Sequence, residues 1–127
     1  MILVTGGMGY VGQFLLRELA QQRLTVRCLI RSGKPKGKLR QLEQWGMEWV
    51  EGDLLDEVAR RRALEGVQVV IHLAHIRYAS VMLADMHNEI ERIVLMSSLW
   101  RFSRVSSAAV DEVIESEAVV EASDKPW

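Results

Sequence analysis

The chain has 127 residues, 49% of them apolar, and a net charge of −1, enough for one domain with a real core. Charge this close to balance, with a pI near 6.3, gives no global surface for nucleic acid or an acidic membrane. A single cysteine, Cys28, excludes an internal disulfide framework and fits a reducing compartment, so a cytoplasmic location is expected.

The elements read in chain order as follows. Ile2-Leu3-Val4 is a short run of strand formers that stops at Thr5-Gly6-Gly7-Met8-Gly9. Tyr10 to Gln22 reads as a helix, with Val11, Leu15 and Leu19 on its apolar face and Phe14 widening it. Leu24 to Ile30 is the second strand, in which Cys28 reads as a small buried hydrophobe. Arg31 to Lys38 is a basic loop broken by glycine and proline. Leu39 to Gln44 is a short helix and Met47 to Glu51 a third strand, which ends at Gly52-Asp53-Leu54. Asp56 is placed to cap a helix over Glu57 to Leu64. Val67 to Leu73 is a nearly all-apolar fourth strand. Ala74 to Asn88 holds a loop and a helix near Ala79 to His87. Arg92 to Met96 is the fifth strand, Leu99 to Ser107 a loop, and Ala108 to Ala122 the last helix. No stretch approaches the ~20 apolar residues of a membrane span, and the chain begins in a strand without a leader pattern.

Apolar strands alternating with helices predict an α/β fold, a single doubly wound domain over residues 1–127. With right-handed crossovers and a loop of this kind after the first strand, a five-stranded parallel sheet of order 3-2-1-4-5 follows.

The glycine stretch carries the first functional expectation. Gly6, Gly9 and Gly12 are spaced i, i+3 and i+6 between a strand and a helix. That is the layout of a dinucleotide phosphate cradle, in which a tight turn brings backbone N–H groups and a helix N-terminus to a pyrophosphate. Thr5, Gly6, Gly7, Met8, Gly9, Tyr10, Val11 and Gly12 are its candidate residues. The adenosine ribose is expected at the end of the second strand, about 20 residues beyond the glycines. Ile30-Arg31-Ser32 stands there, with no acid to meet a 2′-hydroxyl. A guanidinium pairs with a phosphate, so Arg31, with Ser32 as a further donor, favours NADP over NAD. The other reading of Arg31 is a solvated basic loop, since Lys34, Lys36, Lys38 and Arg40 continue the charge. No aromatics interleave with these cations, which argues against nucleic acid.

Asp53 could accept from an adenine amino group, with Leu54 beside the ring, or could simply hold a turn. Leu73, Ala74 and His75 leave the fourth strand at the carboxyl edge, where ligands bind in this architecture. His72 and His75 do not suggest a metal, because strand alternation parts them and no third ligand is near. His87 reads as a surface helix residue. Ser97 and Ser98 either reach a substrate carbonyl or the nicotinamide side of the cofactor, or end a strand. Glu117 shares a helical face with Val110, Val113 and Ile114, so it needs a backbone or hydroxyl partner, or serves as a general acid.

These residues resemble the short-chain dehydrogenase/reductase superfamily in its extended and atypical branches. The matching pieces are Thr5 to Gly12, Gly52-Asp53-Leu54, Val70 to Ala74 and Ile93 to Ser98. Val26 to Ser32 is similar to the NmrA-like group, where the arginine after strand two commonly meets NADP. The resemblance implies a Rossmann domain with NADP, or alternatively NAD, as cofactor of an oxidoreductase or epimerase. It also implies a Tyr-x-x-x-Lys pair on the last helix. If Glu117 is aligned with the glutamate that often follows that pair, Ala109 and Val113 hold those places, and Ala108 to Ala122 contains neither residue. Relatives continue past Trp127 into a sixth strand and a substrate region, and the segment Ala74 to Arg92 is short for the superfamily. The expectation is a dinucleotide-binding part without full catalytic competence alone, or else a non-catalytic NADP-sensing or interaction module, or an inactive truncated fragment. An uncovered sheet edge predicts a homo-oligomer.

Overall fold

The computed structural model describes residues 1–33 and 35–127; Lys34, counted above in the basic loop, lies outside the described residues. The strands are β1 (Ile2–Thr5), β2 (Val26–Ile30), β3 (Glu48–Glu51), β4 (Val69–His72) and β5 (Arg92–Leu95). The helices are α1 (Tyr10–Gln21), α2 (Lys36–Gln44), α3 (Glu57–Leu64), α4 (Ala79–Asp85) and α5 (Ala108–Glu121). Short 3-10 turns lie at Ile76–Tyr78 and Leu99–Phe102.

The sheet runs β3-β2-β1-β4-β5, the expected order. Every pairing is parallel, with Thr5 opposite both Leu29 and His72. The carboxyl ends of the three inner strands therefore finish level, and the loops that leave them share one edge.

Strand alternation splits the core into two layers. Leu3, Leu29, Val70 and Ile93 face one side and pack with Ala63, Leu64, Met82 and Val113 of α3, α4 and α5. Val4, Cys28 and Ile30 face the other side and pack with Leu16, Leu19 and Leu42 of α1 and α2. Each leucine, isoleucine, valine or methionine among them, fully buried, contributes about 1.5–3 kcal/mol of transfer free energy. Both faces of the sheet are covered, as near-continuous apolar strands require.

Several local expectations change. The inner face of α1 is Gly12, Leu16 and Leu19, not Val11, Leu15 and Leu19. Val11 is 48% exposed and Phe14 56%, and Phe14 meets Tyr10 edge to face. The cause is Gly12. A Cβ there would lie 2.4 Å from the Gly7 carbonyl oxygen, so the helix is seated with Gly12 inward and its face is set from that position. Helix α2 begins at Lys36, so Lys36 and Lys38 belong to its first turn rather than to the loop. Strand β2 starts at Val26, because Arg23 takes a left-handed conformation (φ 55°) after α1. Helix α4 ends at Asp85, and His87 lies beyond it, half-buried, with Nε2 3.0 Å from the Leu64 carbonyl oxygen. The chain turns there because Met86 is extended and buried and Asp85 pairs with buried Arg60 at 2.6 Å. Asp56 caps α3 as expected, accepting from the Val58 and Ala59 N–H groups.

Candidate functional site

The site is built first by backbone. Strand β1 leads into Gly6, whose φ of 73° lies in the left-handed region that favours glycine. A Cβ on Gly6 would lie 2.5 Å from the Ala74 nitrogen, so the loop is pressed against the end of β4. The Gly9 N–H donates to the Gly6 carbonyl at 2.9 Å and closes the turn. Gly9 is the N-cap of α1 and offers no side-chain acceptor, so the first N–H groups of the helix are left for a ligand. The Lys38 ammonium donates to the Met8 carbonyl at 3.0 Å and ties α2 to the loop.

A cleft of about 420 Å³ opens over this loop at the carboxyl edge of the sheet. It gathers Gly6, Met8 and Gly9 from the glycine loop and Arg31 from the end of β2. Asp53 and Leu54 enter from the end of β3, and Leu73, Ala74 and His75 from the end of β4. Residues far apart in sequence are thus brought together by strand order alone. Asp53 Oδ1 accepts from the Leu55 N–H at 2.9 Å, so this carboxylate holds its turn while it lines the cleft.

The other cradle residues lie around that lining. Thr5, Gly7 and Gly12 are buried beneath the loop. Tyr10 and Val11 are exposed on the first turn of α1 and Ser32 is exposed beyond Arg31, all outside the cleft lining. Sequence reasoning missed three contributors. Arg77 and Tyr78 line the cleft from the turn after β4. Arg60 donates to the Leu54 carbonyl at 2.6 Å and fixes that segment. Their only sequence signal is position, one turn past β4 and one turn into α3.

His72 and His75 do different work. The His72 side chain is buried, which holds its imidazole below the usual pKa of 6.5 and therefore neutral. His75 Nδ1 accepts from the Arg77 N–H at 3.2 Å, and its ring is exposed at the cleft. Among the described residues no group of three or more His, Cys, Asp or Glu side chains could hold a metal, and no helix is long and apolar enough to cross a membrane.

Ser97 and Ser98 are not in this cleft. Ser97 donates its hydroxyl hydrogen to Glu117 on α5, and Arg101 pairs with the other oxygen of the same carboxylate. Glu117 thus has the hydroxyl partner its place on an apolar stripe calls for. These groups edge a separate cavity of about 390 Å³ beside β5, floored by Ile76, Leu95, Val120 and Trp127. Ser98 Oγ accepts from the Trp100 N–H at 3.3 Å and caps the Leu99–Phe102 turn. On α5, Val113 is buried in the core and Ala109 is exposed.

The chain is similar to proteins of one family. The model of the NAD dependent epimerase/dehydratase family matches residues 2–119. A sterol-4-alpha-carboxylate 3-dehydrogenase (decarboxylating) of Dictyostelium discoideum is 30% identical over 121 residues, 94% of this chain and 36% of that protein. A 2-alkyl-3-oxoalkanoate reductase of Stenotrophomonas maltophilia is 39% identical over 71 residues, 56% of this chain and 20% of that protein. Among solved structures, a short-chain dehydrogenase/reductase of Veillonella parvula in complex with NADP superposes with a TM-score of 0.82 at 16% identity, over 97% of this chain and 64% of that one. The chain therefore spans between 20% and 36% of the length of these two curated relatives.

Proposed function

Because this chain belongs to the NAD dependent epimerase/dehydratase family, we propose that its carboxyl-edge cleft binds a nicotinamide dinucleotide, with NADP preferred over NAD. The observation that carries the reading is the cleft itself. One opening holds the Gly6–Gly9 backbone, with its free helix N-terminus, and the Arg31 guanidinium. The residues present fit the group. The loop takes the pyrophosphate, Arg31 and Ser32 the 2′-phosphate, Asp53 and Leu54 the adenine, and Ala74 and His75 the side toward the nicotinamide. When bound, the nicotinamide supplies hydride exchange with a carbonyl or alcohol carbon. The chain's own residues bind and orient it.

Ala109 and Val113 on α5 supply neither a phenol nor a lysine, and the Ser97 hydroxyl is committed to Glu117. This chain alone therefore binds the dinucleotide without turning over a substrate. The same two positions, with exposed Leu99, Trp100, Phe102 and Val105, favour a second reading: a non-catalytic module that reports NADP to a protein partner or a second copy. Calorimetric titration with NADPH and NADH tests the first reading. Binding in the micromolar range is expected, tighter for NADPH, and binding of neither would overturn it. Carbonyl turnover by the purified chain would overturn the non-catalytic claim.

A further inference from the structure

Charge is divided unevenly along the chain. Residues 1–42 hold eight of the 16 Lys and Arg residues and one of the 17 Asp and Glu residues, so they carry +7 against −8 for the remainder. The fold turns this division into two opposed faces, because α1 and α2 pack on one side of the sheet and α5 on the other. On the α1 and α2 side, Tyr10, Val11 and Phe14 are exposed. Around them Arg17, Lys36 and Arg40 are exposed and have no ion-pair partner among the described residues. Tyr10, Phe14 and Arg17 stand at i, i+4 and i+7 and so form one stripe of α1. The acids of these two helices are Glu18, which accepts from Gln22 Nε2 at 2.9 Å, and Glu43 in the last turn of α2. On the other side, α5 carries Asp111, Glu112, Glu115, Glu117 and Glu121 and no Lys or Arg. Glu117 is answered by Arg101, and Glu112 lies 3.9 Å from Arg77. Asp111, Glu115 and Glu121 are exposed without an ion-pair partner among the described residues, and Ile114 and Val119 are exposed with them.

Each face thus joins apolar area to three unpaired charges of its prevailing sign, and the two signs are opposite. We propose that the α1 and α2 face docks on the acidic α5 face of a second copy of this chain. Charge complementarity selects this occupant. A nucleic acid or an anionic bilayer would attract the +7 segment but repel the −8 remainder. A second copy presents its acids to those cations and turns its own cations away. The contact joins two different patches on opposite sides of the molecule, so it is heterologous, and its repetition extends the assembly beyond a pair. Arg17, Lys36 and Arg40 lie outside the lining of the carboxyl-edge cleft, and the contact does not depend on the dinucleotide reading. It is also distinct from the exposed apolar cluster of Leu99, Trp100, Phe102 and Val105.

The test is light scattering of the full chain carrying Trp100→Ser and Phe102→Ser, which removes association through that cluster. Between about 10 mM and about 1 M salt the screening length falls from about 30 Å to about 3 Å. Mass above that of one chain is therefore expected at low salt, and single-chain mass at high salt. In this background, Lys36→Glu with Arg40→Glu, or Asp111→Lys with Glu115→Lys, brings like charges together. Either pair is expected to raise the low-salt dissociation constant about tenfold or more. An equimolar mixture of the two reversed chains is expected to regain association, since each supplies the face that the other has lost. Arg62→Glu with Arg92→Glu makes the same change in net charge away from the α1 and α2 face and is expected to shift the constant less than about threefold. Circular dichroism of each variant verifies folding. Single-chain mass at low salt before any reversal, association that neither reversal weakens, or a mixture that stays dissociated would overturn the assignment. An equal loss with Arg62→Glu and Arg92→Glu would overturn it too, because net charge alone would then govern the association.

Discussion

The Thr5 hydroxyl and Nδ1 of His72 lie 2.8 Å apart, with both residues fully buried. The two residues are register partners on β1 and β4, directly under the glycine loop. On the far side of the ring, Nε2 lies 3.4 Å from the His75 carbonyl oxygen. A carbonyl only accepts, so Nε2 carries the hydrogen and Nδ1 accepts from the Thr5 hydroxyl. This neutral ring bridges the base of the cradle to the turn that carries His75 and Arg77.

That bridge makes stability depend on pH. Unfolded, the imidazole titrates near its ordinary 6.5; folded, burial lowers that value. Above pH 6.5 the ring is neutral in both states and its contribution is fully present. As pH falls below that, the unfolded chain takes up a proton that the folded chain refuses, and stability falls until the folded pKa is reached. Thermal denaturation between about pH 7.5 and about pH 5 should show this loss, and His72→Asn should reduce it. An identical pH dependence in the variant would exclude His72 as its source.

Gly6→Ala should remove function and stability together. The left-handed conformation alone costs an alanine about 1–2 kcal/mol. The added Cβ would also meet the Ala74 nitrogen at 2.5 Å, a backbone atom that can yield only if β4 shifts. Urea denaturation should show a lower midpoint, and calorimetry should show no dinucleotide binding. Unchanged values of both would mean that the loop is not pressed on β4.

Cys28 should be chemically silent in the folded chain. It is fully buried between the sheet and α1, and burial pushes its thiol up to about 12. At neutral pH the thiolate that would react is nearly absent. A thiol-specific disulfide reagent should label one cysteine per chain in denaturant and almost none in buffer. Rapid labelling in buffer would show that β2 is open to solvent.

Much of this architecture is legible in the sequence, because apolar strand runs and the Gly6–Gly12 spacing each report a local backbone requirement. Parallel order follows from them by handedness. The facing of α1 is not legible from hydropathy: Val11 and Phe14 are as apolar as Leu16, and Gly12 decides between them through a backbone contact. Arg77 and Tyr78 are hidden for a different reason. Their role depends on a 3-10 turn after β4 that aims them back across the cleft, and nothing in their residue types announces it. Glu117 falls between the two cases. Its need for a hydroxyl partner is readable from its apolar stripe, but Ser97 becomes that partner only when α5 packs beside the end of β5.

The surface beyond β5 should drive self-association. Strand β5 is the last in the sheet; its edge is not left uncovered as expected, because the Ile93 N–H donates to the Pro126 carbonyl at 2.8 Å, but Leu99 (84% exposed), Trp100, Phe102 and Val105 follow it at the surface. A cluster of this kind at a sheet edge favours burial against another protein surface. Light scattering across a concentration series should show mass rising above that of one chain, and a Trp100→Ser, Phe102→Ser double variant should lower it. A single-chain mass throughout for the unaltered protein would contradict this.

In a cleft that takes a dinucleotide, Arg31 is the residue placed to read the 2′-phosphate. The most direct measurement is the pair of dissociation constants for NADPH and NADH, taken for the unaltered chain and for Arg31→Ala. The expected result is preferential binding of NADPH, weakened about tenfold or more by the substitution through loss of a charge-assisted pair, with NADH changed by less than about twofold. No binding of either cofactor, or equal losses for both, would contradict it.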